Sequence, residues 1–181
     1  GGQSWVHVNP ATRFPGLSGG VWGDQRTFYI PSHDITIWQM IYCPDALGNT
    51  IRIAVARGRA GLRDNVWHSF TMNAQQFGYP TGYWLDFPDF AHTDNHLYFA
   101  INVVTGTPWA PADSIVMKIP LDEVAVPGAL VNMTVWTRGQ VVGQQPNFRC
   151  VQGETDTMYF ATHLDGSTIR VFKNHDASSV L

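Results

Sequence analysis

The chain has 181 residues, long enough to bury a sizeable core, and a formal net charge of -3 with only 14% charged residues. It holds only two lysines, Lys118 and Lys173, and no Lys/Arg cluster, which argues against nucleic acid as a partner. No apolar run approaches the roughly 20 residues that a membrane-spanning helix needs.

The composition is that of a β-rich protein with many turns. Twelve of the acidic residues are Asp and only two are Glu, and the chain carries 17 Gly and 11 Pro. Asp, Gly and Pro favour turns, whereas Glu favours helices. Aromatic residues make up 13% of the chain, and no amphipathic helix of ten or more residues is predicted.

The first predicted unit begins with "WGDQRTFYIPSHDITIWQMIY", residues 22–42. A polar start is followed by an apolar segment, the polar turn "SHD" and an alternating strand, which together predict a hairpin. A turn with "DALGN" and a third strand, "IRIAVA", follow. The stretch "DNVWHSFTMNAQQFG", after residue 64, is the best candidate for a helical turn.

The same order recurs twice along the chain. It appears in "WLDFPDFAHTDNHLYFAINV", residues 84–103, with "SIVMKI" as the third strand and a single helical turn predicted at 120–126. It appears again in "QPNFRCVQGETDTMYFATHL", residues 145–164, with the turn "LDGS" and the third strand "TIRVFK". Anchored on Trp38, Tyr98 and Tyr159, the repeats are 60 and 61 residues apart.

These repeats predict one all-β unit over residues 1–181, a β-propeller of about three four-stranded blades. A β-sandwich is the alternative, because its short strands also recur at regular intervals. Propellers usually have about four to eight blades. We therefore expect either a homodimer that closes a six-bladed ring or a second chain that completes the propeller.

Three stretches carry a resemblance to a known family: "GDQRTFYIPSHDITIWQMIY", "NTIRIAVA" and "WLDFPDFAHTDNHLYFAINV". They resemble the blades of secreted bacterial and fungal propeller proteins of the BNR or sialidase-like type, over residues 20–175. Ser32, Asp34 and Trp38 match part of the Asp box of that family, without its glycine. The resemblance implies a propeller fold and an extracellular setting.

The candidate site residues lie where the repeats begin, because such loops converge on one face of a propeller. The predicted catalytic residues are Asp24, Asp86 and Asp89. The predicted ligand-binding residues are Trp22, Gln25, Arg26, Trp84, Asn147 and Arg149. The structural alternatives are Asx turns for the aspartates, ion pairs for the arginines and packing between blades for the tryptophans.

Each residue type suits a particular chemistry. A pair of carboxylates serves glycosidic acid–base catalysis or binds calcium, and arginine forks suit a sugar that bears a carboxylate. No cofactor is predicted, and calcium bound by such carboxylates is kept as an open alternative. No metal site is predicted, since His92 and His96 flank a turn without an evident third ligand. Cys43 and Cys150 either pair or remain two thiols.

Two functions follow from these observations. The first is an extracellular lectin-like or adhesive protein that binds a glycan or another ligand. The alternative is a carbohydrate-active enzyme, a glycoside hydrolase or polysaccharide lyase of sialidase-like type, with carboxylates at the mouth of the channel.

Overall fold

The computed structural model describes residues 9–15, 17, 19–106, 109–137 and 147–180. In these residues eleven strands form three antiparallel sheets. The first sheet contains β1 (Val21–Ile30), β2 (Ile35–Tyr42), β3 (Ile51–Arg57) and β4 (His68–Met72). The second contains β5 (Tyr83–His92), β6 (His96–Thr105), β7 (Ala110–Pro120) and β8 (Thr134–Thr137). The third contains β9 (Arg149–Cys150), β10 (Thr157–His163) and β11 (Ile169–His175).

Helices are few and short in the described part of the chain. They are α1 (Pro10–Arg13), α2 (Gly58–Arg63) and α3 (Leu121–Val124), with 3₁₀ turns at Pro31–His33 and Ala74–Phe77. None of them is long and apolar enough to cross a membrane. The all-β class is therefore confirmed, and so is the helical turn predicted at 120–126.

The helical turn predicted after residue 64 is wrong in part. His68–Met72 forms the edge strand β4, because its alternating side chains pair Phe70 with Ile53 and Met72 with Ile51 of β3. The helical turn follows at Ala74–Phe77, where Asn73 and Gln76 form a capping box. Tertiary pairing with a buried strand overrides the local preference in this stretch.

Each sheet is an up-and-down meander in which neighbouring strands follow one another in sequence. The predicted hairpins and third strands are confirmed, since β2, β6 and β10 each pair with the strand before and the strand after. The third sheet has three strands in the described residues, against the four predicted for each repeat.

Backbone hydrogen bonds establish which faces of the sheets correspond. Along a strand, consecutive residues bond alternately to the two neighbouring strands, and their side chains alternate between the two faces. In β6, the even-numbered His96 accepts from Thr93 beside β5. In β10, the odd-numbered Tyr159 accepts from Val151 beside β9. In β2 the backbone N–H of the even-numbered Tyr42 donates instead to Thr50, beside β3. The backbone groups of the odd-numbered residues of β2 therefore bond to β1.

Ile37, not Trp38, therefore corresponds to Tyr98 and Tyr159. These three residues are spaced by 61 residues in both intervals. Trp38 lies on the opposite face of its sheet, so the alignment anchored on it is displaced by one residue in the first repeat. The displacement escaped the sequence comparison because both faces of β2 carry large apolar side chains.

We name the two faces of each sheet from this correspondence. The leading face carries Ile37 and Ile53 in the first sheet, Tyr98 and Val116 in the second, and Tyr159 and Val171 in the third. The trailing face carries Trp38 and Met40, then Phe99 and Met117, then Met158 and Phe160.

The sheets pack in one consistent order, the leading face of one against the trailing face of the next. Phe28, on the leading face of the first sheet, lies 5.8 Å from Phe90 on the trailing face of the second. Tyr98 lies 5.7 Å from Phe160 in the same relation between the second and third sheets. Two apolar cores fill these contacts. The trailing face of the first sheet is covered by Phe14, whose ring lies 6.0 Å from that of Trp38.

One carboxylate connects the first strands of all three sheets. Asp89 of β5 is nearly buried, and its Oδ1 accepts a hydrogen bond from the guanidinium of Arg26 in β1. Its Oδ2 accepts from the backbone N–H of Cys150 in β9 at 2.8 Å. Arg26, Asp89 and Arg149 occupy corresponding positions, opposite Gln39, Ala100 and Ala161.

We expect Asp89→Ala to lower the free energy of unfolding by about 2–3 kcal/mol, because it leaves a buried N–H and a half-buried arginine without their acceptor. Asp89→Asn should cost about half as much, since its Oδ1 can still accept from Cys150. Urea unfolding monitored by tryptophan fluorescence measures both changes.

Asp24→Ala is the matched control, and a change of less than about 0.5 kcal/mol is expected at this exposed carboxylate. An Asp89→Ala loss no larger than that of Asp24→Ala would show that the sheets are held together without this junction.

Candidate functional site

A groove of about 720 Å³ lies between the second and third sheets, at the end where β5 and β9 begin. We call it the inter-sheet groove. Its polar lining comes from strands and turns of both sheets: Asp86, Asn102, Asn147, His163 and Asp165. Its apolar lining consists of Phe87, Val104, Trp109, Pro111 and Leu164. No lysine or arginine belongs to this lining in the described residues.

A β-bulge in β5 directs two of these side chains. The pairing of β5 with β6 shifts between Asp86 and Asp89, and Phe87 in the bulge has a φ of 55°. Such a left-handed backbone is strained for a residue with a bulky side chain. The guanidinium of Arg149 lies 4.3 Å from the centre of the Phe87 ring and holds it by a cation–π contact.

A short chain of hydrogen bonds sets the polar side of the groove. Ser114 Oγ donates to Asn102 Oδ1 at 3.2 Å, and Asn102 Nδ2 donates to Asn147 Oδ1 at 3.3 Å. The backbone N–H of Asn147 returns to Ser114 Oγ at 3.1 Å. These three hydrogen bonds connect the start of β9 to the second sheet and fix the side-chain amides of Asn102 and Asn147 at the groove.

The two carboxylates of the groove have pKa values shifted in opposite directions. Burial raises the pKa of Asp86, the backbone N–H of Phe87 opposes this increase, and the negative charge of Asp24 adds to it. Hydrogen bonds from the backbone and side chain of Ser167 hold the pKa of Asp165 below its usual range. As pH falls, Asp86 is therefore the first of the two to take up a proton, while Asp165 stays ionised to lower pH.

Trp109 supplies the large apolar surface of the groove. It directly precedes β7, with 59% of its surface exposed. An exposed indole beside carboxylates and amides offers both a flat stacking surface and hydrogen-bonding groups.

The structure brings together some of the predicted site residues and separates others. Asp86 and Asn147 line the groove. Asp24 lies close enough to raise the pKa of Asp86 but does not line it. Asp89 is engaged by Arg26 and Cys150, as described above.

The remaining predicted ligand-binding residues make contacts within the chain or lie outside the groove. Gln25 accepts from the indole N–H of Trp38 at 3.1 Å. Trp84 packs against the backbone at Gly106, where an added Cβ would lie 3.0 Å from its indole nitrogen. Trp22, on β1, is 52% exposed and does not line the groove. The ion pair considered for the arginines is present at Arg26.

The cysteines and histidines form no further site in the described residues. Cys43 and Cys150 are both free thiols, and burial raises the pKa of Cys150. His92 Nδ1 lies 2.9 Å from its neighbour's carbonyl, that of Thr93, and His96 lies 3.2 Å from Asp176. No group of three or more potential metal ligands occurs in the part of the chain that the structure describes.

Sequence reasoning missed most of the groove. Asn102, Trp109, His163, Leu164 and Asp165 were not among the predicted site residues. One available signal was Asn102, a single amide in the otherwise apolar strand "FAINVV". In the register of the sheet it lies opposite Asp86.

Comparison with protein-family models, with curated proteins and with solved structures gives no significant match. The case for a function therefore depends on the groove itself.

Titration of Asp86 tests the electrostatics of the groove. We expect carbon-detected NMR to give Asp86 a pKa above the ordinary aspartate value of about 3.9, and Asp24→Asn to lower it by removing a neighbouring negative charge. Asp165 in the same titration should stay below its usual range.

Because the pKa of Asp86 is raised in the folded chain, its contribution to the free energy of unfolding changes with pH. Ionised Asp86 costs stability at neutral pH, and the cost disappears as pH falls below the unfolded-state pKa. Asp86→Asn should therefore be more stable than the parent at pH 7 and equal to it near pH 3, by urea unfolding. A difference that grows toward acid would contradict the assignment.

Proposed function

We propose that this protein binds a glycan in the inter-sheet groove, with Trp109 as the stacking surface for a sugar ring. The observation that carries the proposal is a 59% exposed indole beside a groove lined by two carboxylates and two amides. Sugars present flat apolar faces and rings of hydroxyl groups, which this combination complements.

The charge of the groove favours a neutral or amine-bearing sugar. Asp86 and Asp165 line it, and no lysine or arginine among the described residues does. The arginines that sequence reasoning assigned to a sugar carboxylate are engaged elsewhere, Arg26 with Asp89 and Arg149 with the Phe87 ring. A carboxylate-bearing sugar would meet like charge here.

We further propose that the three sheets are blades of a β-propeller. Support comes from the up-and-down order of strands in each sheet and from the constant packing order of leading face against trailing face. The glycan-binding role and the family resemblance favour an extracellular setting. Completion of the ring by a further polypeptide belongs to the same proposal.

A second candidate function is hydrolysis of a glycosidic bond, with Asp86 as the general acid. The raised pKa of Asp86 favours it, because a general acid must hold its proton near the working pH. Asp165, ionised at the same pH, would supply the negative charge that such a reaction needs.

Trp109→Ala tests the binding proposal. We expect the affinity for neutral oligosaccharides, found on a glycan array and measured by isothermal titration calorimetry, to fall at least about tenfold, which corresponds to about 1.4 kcal/mol of lost stacking. Trp22→Ala is the matched control, since Trp22 is 52% exposed but lies outside the groove lining. Equal losses of affinity in the two variants would show that the sugar does not stack on Trp109 in the groove.

Asp86→Asn separates binding from catalysis. If the groove hydrolyses its ligand, reducing-end release should fall by a factor of about 100 or more in this variant, in line with the loss of general acid catalysis, while calorimetric affinity is retained. If the parent protein binds glycans on the array but releases no reducing ends, hydrolysis is excluded and only the binding function remains.

A further inference from the structure

The leading face of the third sheet exposes apolar side chains that its counterparts bury. Ile169 and Val171 of β11 are 62% and 60% exposed, and Val151 and Tyr159 are 39% and 37% exposed. The residues that correspond to Val171 are Ile53 and Val116, each 1% exposed. This face therefore has the surface of an interface between sheets without a sheet against it in the described chain.

A Tyr–Lys pair that recurs in the second and third sheets indicates which hydrogen-bond acceptors a docked sheet would present. On the leading face of the second sheet, Tyr98 pairs across the strands with Lys118. Tyr98 donates to the Asp176 carboxylate at 3.0 Å, and Lys118 donates to the Asp176 carbonyl at the same distance. The pair thus holds the segment that follows the last strand of the adjoining sheet.

The third sheet carries the same pair in the same register. Tyr159 pairs with Lys173 across β10 and β11, and both side chains are exposed. Tyr98 and Lys118 have as acceptors the carboxylate of Asp176, the side-chain carbonyl of Asn174 and two backbone carbonyls. A carboxylate flanked by amide and backbone carbonyls is therefore the set of acceptors that the second pair is placed to receive.

Arg149 belongs to the same face by register, but its guanidinium is held 4.3 Å from the centre of the Phe87 ring of the second sheet. It corresponds to Arg26, whose guanidinium reaches across to Asp89 of the next sheet. In the described residues, the strand register places Arg149, Lys173 and His175 on this face, together with Tyr159. His175 Nε2 lies 3.7 Å from the carboxylate of Asp156, and His163, on the same face by register, lines the inter-sheet groove.

We propose that the leading face of the third sheet docks a β-sheet of a partner polypeptide. That sheet would present an apolar trailing face and one carboxylate toward the Tyr159–Lys173 pair. This inference rests on the proposal that the three sheets are blades of a β-propeller. The interface would continue the order in which the three sheets of this chain already pack.

A second copy of this chain does not fit the docking face. The trailing face of its first sheet is already packed against Phe14, Leu17 and Trp67, and the carbonyl of Phe14 accepts from Arg52 at 2.7 Å. Two leading faces set against each other would oppose Arg149 and Lys173 with the same residues of the other copy, and like charges across an interface are strongly unfavourable.

Site-specific photo-crosslinking tests the proposal in the cells that natively make the protein. The full chain carries p-benzoylphenylalanine at Val171, with Leu47, a 65% exposed residue of a turn in the first sheet, as the matched control position. We expect crosslinks at residue 171, at least tenfold above those at 47, to one polypeptide. Mass spectrometry should locate the attachment in an apolar β-strand with an Asp or Glu nearby. Lys173→Glu should reduce the yield at least tenfold, and Lys173→Arg should retain it.

Light scattering on the purified chain completes the test, with a monomer of 20.2 kDa expected. Circular dichroism checks that each variant is folded. Attachment to a second copy, a dimer that Val171→Asp dissociates, a partner segment without a carboxylate, a yield no higher than at Leu47, or insensitivity to Lys173→Glu would each overturn the proposal. Glycan affinity is measured in parallel and should not change, since Val171 and Lys173 do not line the inter-sheet groove.

Discussion

The carboxylate of Asp89 is the contact on which the arrangement of the three sheets depends. It accepts from a side chain of the first sheet and from the backbone of the third, and it is itself part of the second. A nearly buried carboxylate is tolerated only when its oxygens are satisfied, so the register of all three first strands is tied to this one residue. The bulge just before it then turns Asp86 and Phe87 into the groove between the second and third sheets.

The motif "DFPD" thus contains two aspartates with different roles. Asp89 forms an ion pair with Arg26 and connects the three sheets. Asp86 has no arginine beside it in the described contacts, and burial and the charge of Asp24 raise its pKa. The same motif therefore supplies a structural carboxylate and a carboxyl group suited to a ligand or a proton transfer, three residues apart. Environment, not residue type, separates the two.

The sequence predicts the repeated meander well, because alternation and turn chemistry are local signals that the sheets obey. It misplaces the first repeat by one residue, since Ile37 and Trp38 are both large and apolar and only backbone bonding distinguishes their faces. It also predicts a helical turn where β4 pairs with β3. The groove was largely missed because Trp109, His163 and Asp165 lie at strand ends distant in sequence. Asp86 and Asn147 were found because both lie where a repeat begins.

The most direct test of the account is where a sugar binds on the folded chain. Backbone and side-chain NMR spectra recorded during titration with neutral oligosaccharides would locate the site without any substitution. If the sugar binds in the inter-sheet groove, the largest shift changes will fall on the Trp109 indole, the side-chain amides of Asn102 and Asn147, and the backbone of Asp86 and Phe87. Changes centred on β1, around Trp22, Asp24 and Gln25, with the groove unaffected, would contradict the account.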